Sequence, residues 1–141
     1  MTAAARKTAV IGTIVNRLTA DANQPADLEP WPAFPPENVV SGNPNGHKGK
    51  LLFRSPDGLY SVGVWECPPA RFIEPYPGSE FGHVLKGRAR LKDLASGQVQ
   101  ELKAGDHFFI EFNRTIEWEV IETFRKVYTM YEAEWAEDRF Y

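Results

Sequence analysis

Two stretches decide the fold of this chain: Glu74-Pro-Tyr-Pro-Gly-Ser-Glu-Phe-Gly-His-Val-Leu-Lys-Gly87 and Ala104-Gly-Asp-His-Phe-Phe-Ile-Glu-Phe-Asn-Arg-Thr-Ile-Glu-Trp118. Each contains a short apolar strand punctuated by glycine and carrying acids or histidine. About a hairpin's length separates them, the layout of a small barrel lined by polar groups. The candidate site is expected here.

Strand parity gives that site its first members. On a strand running from Arg71 to Tyr76, Glu74 and Tyr76 share a face, and Glu80 opens the next strand and returns to the same pocket. The same parity sets Gly82 and Val84 under Glu80 and sends Phe81, His83 and Leu85 to the other face, unless Gly82 marks a bulge. His83 is carried as a substrate-binding candidate with Trp65 and Trp118, whose rings suit pocket walls.

Outward from this centre the chain reads as more short strands. Leu51 to Arg54 begins a strand that Pro56-Asp57-Gly58 turns around. Leu59 to Glu66 then alternates, with Tyr60, Val62, Val64 and Glu66 on one face and Ser61, Gly63, Trp65 and Cys67 on the other, until Pro68-Pro69 ends it. Arg88 to Leu94 and Val99 to Leu102 make a hairpin whose charges form a solvated face. After the turn at Ala104-Gly105-Asp106 come strands at His107 to Phe112, Ile116 to Ile121 and Lys126 to Glu132. In the last, Val127, Thr129 and Tyr131 oppose Tyr128 and Met130.

The flanks read differently. Prolines at 25, 30, 32, 35 and 36 forbid a helix between Ala20 and Pro36 and predict an extended arm, which Trp31 and Phe34 pin to a surface. Val10 to Leu18 is expected to form a short strand or helix, and residues 133–141 a short helical tail. The division is an arm with leading strands over 1–46, a barrel over 47–132 and a tail over 133–141.

Composition excludes several function classes. At 141 residues one domain suffices. A formal charge of -3, with its Lys and Arg scattered, offers no field for nucleic acid. No stretch approaches a membrane span. The single cysteine, Cys67, reads as a small buried hydrophobe in a reducing compartment, so a cytoplasmic protein is expected.

The run of Gly-Val-Trp-Glu-Cys-Pro, Tyr-Pro-Gly-Ser-Glu-Phe, Val-Leu-Lys-Gly, Ala-Gly-Asp and Trp-Glu-Val resembles the cupin superfamily, the RmlC-like jelly rolls. Within it the chain is similar to the small single-cupin branch of EutQ-type and (S)-ureidoglycine aminohydrolase-like proteins, over about residues 50 to 131. The resemblance implies an all-β, single-domain cupin barrel, a double-stranded β-helix or jelly roll, with an extended N-terminal arm. Metal-type cupins carry His-x-His, Glu and Gly in the first motif and His in the second. With Gly87 on that glycine, Glu80 falls on the motif's Glu, while Glu74 and Tyr76 take the histidine positions. Gly105-Asp106 match the second motif, but its proline position is Glu111 and its histidine falls near Ile116 or Trp118. Only Glu80 is unchanged.

Glu74 and Glu80 are therefore the metal-ligand candidates, for a divalent ion such as manganese, iron or zinc, with manganese or magnesium the better match to oxygen donors. Alternatively the two acids hydrogen-bond Tyr76, Arg71 or Arg90, or line a metal-free pocket. Tyr76, Glu80 and His107 are the acid-base candidates, because like charges in a partly desolvated barrel raise one carboxyl toward neutrality. Two functions fit: an enzyme acting on a small polar metabolite, metal-assisted or acid-base, and a non-catalytic, metal-free ligand-binding cupin. If Glu80 serves only the site, Glu80→Ala should leave the fold intact. The small-molecule partner is joined by a second copy of the chain, since an aromatic arm exchanged across a two-fold suits a homodimer.

Overall fold

The computed structural model describes residues 28–132 together with Val15; the segment Val10 to Leu18, Val15 apart, and the expected tail helix lie outside the described residues. Among the described residues nine strands follow in order: β1 Glu29–Pro30, β2 Val39–Gly42, β3 Lys48–Arg54, β4 Tyr60–Cys67, β5 Ala70–Tyr76, β6 Ser79–Asp93, β7 Val99–Lys103, β8 His107–Ile110 and β9 Arg114–Tyr131. Two short 3-10 turns, Pro36–Asn38 and Pro44–Gly46, each open on proline. Among the described residues no helix is long and apolar enough to cross a membrane.

Two long strands organise the sheet. The first half of β6 pairs with β8 and with the second half of β9, whereas its second half pairs with β7 and with the first half of β9. The halves of β9 divide likewise: Arg114 to Val120 runs beside β5, and Phe124 to Tyr131 beside β4. One layer is thus β1, β3, β4, late β9, early β6 and β8. The other is β2, β5, early β9, late β6 and β7. All pairings are antiparallel, and the curled sheet is the expected all-β jelly roll.

Each of these long strands reads in sequence as two. The structure joins them because the chain bends without ending. Register between β6 and β9 shifts at Val84 to Lys86 and again near Arg88, and Gly87 sits in the bend at φ 85°. A Cβ on Gly87 would lie 2.1 Å from the Thr123 carbonyl oxygen, so both conformation and the close crossing of the strands require glycine.

Alternation along the strands builds the core between the layers. Trp65, Phe108 and Phe124 meet Phe72 and Trp118 there, with the Trp65 and Trp118 centroids 5.6 Å apart and Phe72 stacked on Trp118. Cys67 is buried among them, its thiol pushed up to about 12 mainly by desolvation. It is an inert packing residue, as expected.

The described part of the proline-rich arm, from residue 28 onward, packs over one end of the barrel. β1 pairs with β3, the Trp31 N–H donates to the His47 carbonyl (3.2 Å) and the Phe34 N–H donates to Asn45 Oδ1 (2.8 Å). Trp31 lies against Gly49, where a Cβ would come within 2.5 Å of the ring. Phe34 packs 4.5 Å from both Phe72 and His47. Trp31 and Phe34 therefore do pin the arm to a surface.

Candidate functional site

Polar side chains meet where the two layers face each other beneath the arm. Glu80, 1% exposed, receives a hydrogen bond from the Tyr76 hydroxyl at Oε1 (3.0 Å) and one from Lys126 Nζ at Oε2 (2.5 Å). The Trp118 indole N–H donates to the Tyr76 oxygen (3.1 Å). β5 supplies Tyr76, β6 supplies Glu80, and β9 supplies both Trp118 and Lys126. Rings enclose the ammonium: Nζ lies 4.7 Å from the centroids of Trp65 and Trp118, 5.5 Å from Tyr128 and 5.6 Å from Phe108. Cation–π attraction on several faces offsets part of the desolvation of a buried lysine.

Beside this pair lies a cavity of about 360 Å³, bordered by Trp31, Phe34, Phe72, Glu74, Trp118 and Met130. Glu74 makes no hydrogen bond among the described residues. Burial, with Lys126 opposing and the Glu80 charge adding, pushes its carboxyl up to about 7. The paired acids thus bring one carboxyl to neutrality, and desolvation is the main cause. Burial, again foremost, holds the Tyr76 and Tyr128 hydroxyls in their protonated form. His47 links arm to barrel: Nδ1 accepts from the Trp65 indole (3.0 Å) and Nε2 donates to the Pro32 carbonyl (2.8 Å). Burial favours the neutral imidazole this arrangement needs, more than the Pro32 bond opposes it.

The structure brings Glu74, Tyr76, Glu80, Trp65 and Trp118 to one pocket. His83 and His107, expected at the pocket, instead lie together on the outer face. No bulge forms at Gly82; Phe81 stays outward at 49% exposure, Val84 inward, and His83 follows Phe81. His107 is its cross-strand partner, and the two rings meet on the outer face with Nδ1 and Nε2 3.2 Å apart. Arg71 and Arg90 also face away from the acids, pairing with Glu117 and with Glu101 and Glu119. The partner of Glu80 that sequence reasoning missed is Lys126. Its signal was parity: Lys126 shares the face of Tyr128 and Met130. His47 is the other omission, and a loop histidine before a strand gives no comparable signal.

The donors present do not fit a divalent ion. Both oxygens of Glu80 are engaged, the ammonium of Lys126 already supplies the positive charge, and the indole N–H at the second motif cannot ligate. Among the described residues no three His, Cys, Asp or Glu side chains group as metal ligands.

Two measurements test this electrostatic arrangement. Because Glu80 neutralises a buried lysine, Glu80→Ala should lose about 3–5 kcal/mol in chemical denaturation, not remain neutral, and Glu80→Gln with Lys126→Met should lose clearly less. Glu74 binds its proton more tightly folded than unfolded, so its contribution is fully present below 4.5 and is lost as pH rises to about 7. Glu74→Gln should flatten that decline, and parallel slopes for variant and parent across this range would refute the assignment.

Known proteins share this architecture. The model for the EutQ-like cupin domain matches residues 54–128, more than half of the chain. Ethanolamine utilization protein Q from Salmonella typhimurium is 22% identical, with a TM-score of 0.55 over 63% of this chain and 72% of its own. The Clostridium difficile EutQ protein is 23% identical, TM-score 0.55, over 64% and 66%. An RmlC-like cupin from Shewanella frigidimarina is 17% identical, TM-score 0.54, over 79% and 97%. No curated protein matches. With its jelly roll and this match across both cupin motifs, the chain belongs to the EutQ-like cupin domain family.

Proposed function

We infer that the barrel binds a small polar metabolite with an apolar portion, and that a resident ammonium, Lys126, takes the place of a metal ion in that pocket. The observation carrying this reading is Lys126 Nζ, 2.5 Å from Glu80 and ringed by aromatics, at the edge of a cavity of about 360 Å³. That volume lies in the range of small-molecule sites, and the lining of rings with a few convergent polar groups is their usual make-up. The name of the EutQ relatives, ethanolamine utilization, supports a small polar compound as the ligand class. Glu74, titrating near neutrality, supplies an acid or base within the same pocket.

The test pairs metal analysis with a ligand screen. Protein purified without chelator or nickel resin should carry no stoichiometric manganese, iron or zinc, and metabolite hits should raise its melting temperature equally with and without EDTA. Stoichiometric metal that vanishes in Glu74→Ala and Glu80→Ala would overturn the reading. Turnover of any hit at a rate that falls with Glu74→Gln marks an enzyme; binding without turnover marks an accessory cupin.

A homodimer belongs to the same proposal. The arm packs on its own barrel, so the contact assigned to the second copy is the outer face that carries Phe81 and Phe109, 49% and 63% exposed. Light scattering at micromolar concentration should return twice the chain mass, and Phe109→Glu should shift it to the monomer.

A further inference from the structure

We propose that Lys126 forms a covalent imine with a small aldehyde or ketone held in the barrel cavity. The inference deepens the small-metabolite reading and rests on it, since the carbonyl compound must first enter the same pocket.

Imine chemistry needs an amine shielded from water, a base to take its proton, an acid to expel hydroxide as water, and room for the carbonyl carbon beside the nitrogen. The barrel holds all four. Lys126 Nζ is enclosed by Trp65, Trp118, Tyr128 and Phe108. Glu80 Oε2, at 2.5 Å, is in line to accept the ammonium proton, and its other oxygen is fixed by the Tyr76 hydroxyl. Glu74 borders the cavity and couples electrostatically to both Lys126 and Glu80. Its carboxyl, protonated to about pH 7, is the acid. The adjoining wall is rings and Met130, which suits a short apolar arm on the carbonyl compound.

The step balances without any other reactant. The ammonium passes one proton to Glu80, the free amine adds to the carbonyl carbon, and proton transfer from nitrogen to oxygen gives the neutral carbinolamine. Glu74 donates its proton to the hydroxyl, which leaves as water while the nitrogen lone pair forms the C=N bond. The proton on Glu80 then returns to Glu74. The net change is ammonium plus carbonyl to protonated imine plus water. The charge beside Glu80 is conserved, so the ion pair survives the reaction in a new form.

The experiment uses the whole chain with propionaldehyde and sodium borohydride, followed by peptide mapping, with aldehyde saturation followed separately by tryptophan fluorescence without reductant. The expected result is one propyl group per chain at Lys126, formed at least tenfold faster than at any of the other six lysines. Trapping should slow at least tenfold in Glu74→Gln and disappear in Lys126→Met. Labelling confined to the other lysines, with saturable fluorescence change, would overturn the imine while leaving the binding pocket in place. Labelling confined to them with no saturation would overturn the imine, and failure of the wider metabolite screen would then overturn the pocket as well.

Discussion

The structure turns on one constraint: a lysine and a glutamate are buried between two sheets of aromatic rings, and each would be intolerable there without the other. Removing two charges from water costs several kcal/mol per ion, and only close geometry with further hydrogen bonds repays it. Lys126 and Glu80 meet that condition through a short contact, the Tyr76 hydroxyl, and the faces of Trp65 and Trp118. The participants come from β4, β5, β6 and β9, so the pair fixes how the two layers are spaced. Glu74 borders the same cavity, and burial in the same enclosure pushes its carboxyl up.

The residue beside Lys126 shows how the register of β9 is specified. Arg125 points to the opposite face, where it is 2% exposed and both Nε and Nη2 reach Glu66 Oε1 at 3.0 and 2.9 Å. Lys48 and Lys86 join the same carboxylate. Two adjacent cations thus each pair with an acid, on opposite sides of one sheet. A slip of one residue would thrust the guanidinium into the ring-lined barrel and strand both acids, an error that purely apolar alternation would punish less.

How much of this was legible in the sequence depended on which rule governed each residue. Period-two alternation and turn residues placed the strands, the inward Glu74, Tyr76 and Glu80, and the outward Phe81, because nothing in the fold opposes those local rules. Strand ends were less visible: a Lys-Gly pair that ordinarily stops a strand here bends one, since Gly87 lets β6 cross β9 closely and continue. His107 was drawn toward the pocket by its chemistry, against the register that sets it opposite His83. Lys126 is hard to read from the sequence for the converse reason. Charged residues on strands are ordinarily solvent-facing, and only the identity of its neighbours Tyr128 and Met130 marked its face as the inner one.

The central place of β9 has a consequence for how the molecule comes into being. β4, β5 and β6 pair directly with this strand and β2, β3, β7 and β8 join it through one of them, yet it is the last of the nine described strands along the chain. While the ribosome is still adding residues before Arg114, β4 and β5 lack the partner that lies between them, and Glu80 has no counter-ion. Without β9 the edges of β4 and β5 that face each other across it have no partner, the kind of open edge that favours misassembly. Closure of the sheets and neutralisation of the buried acid therefore depend on the same strand.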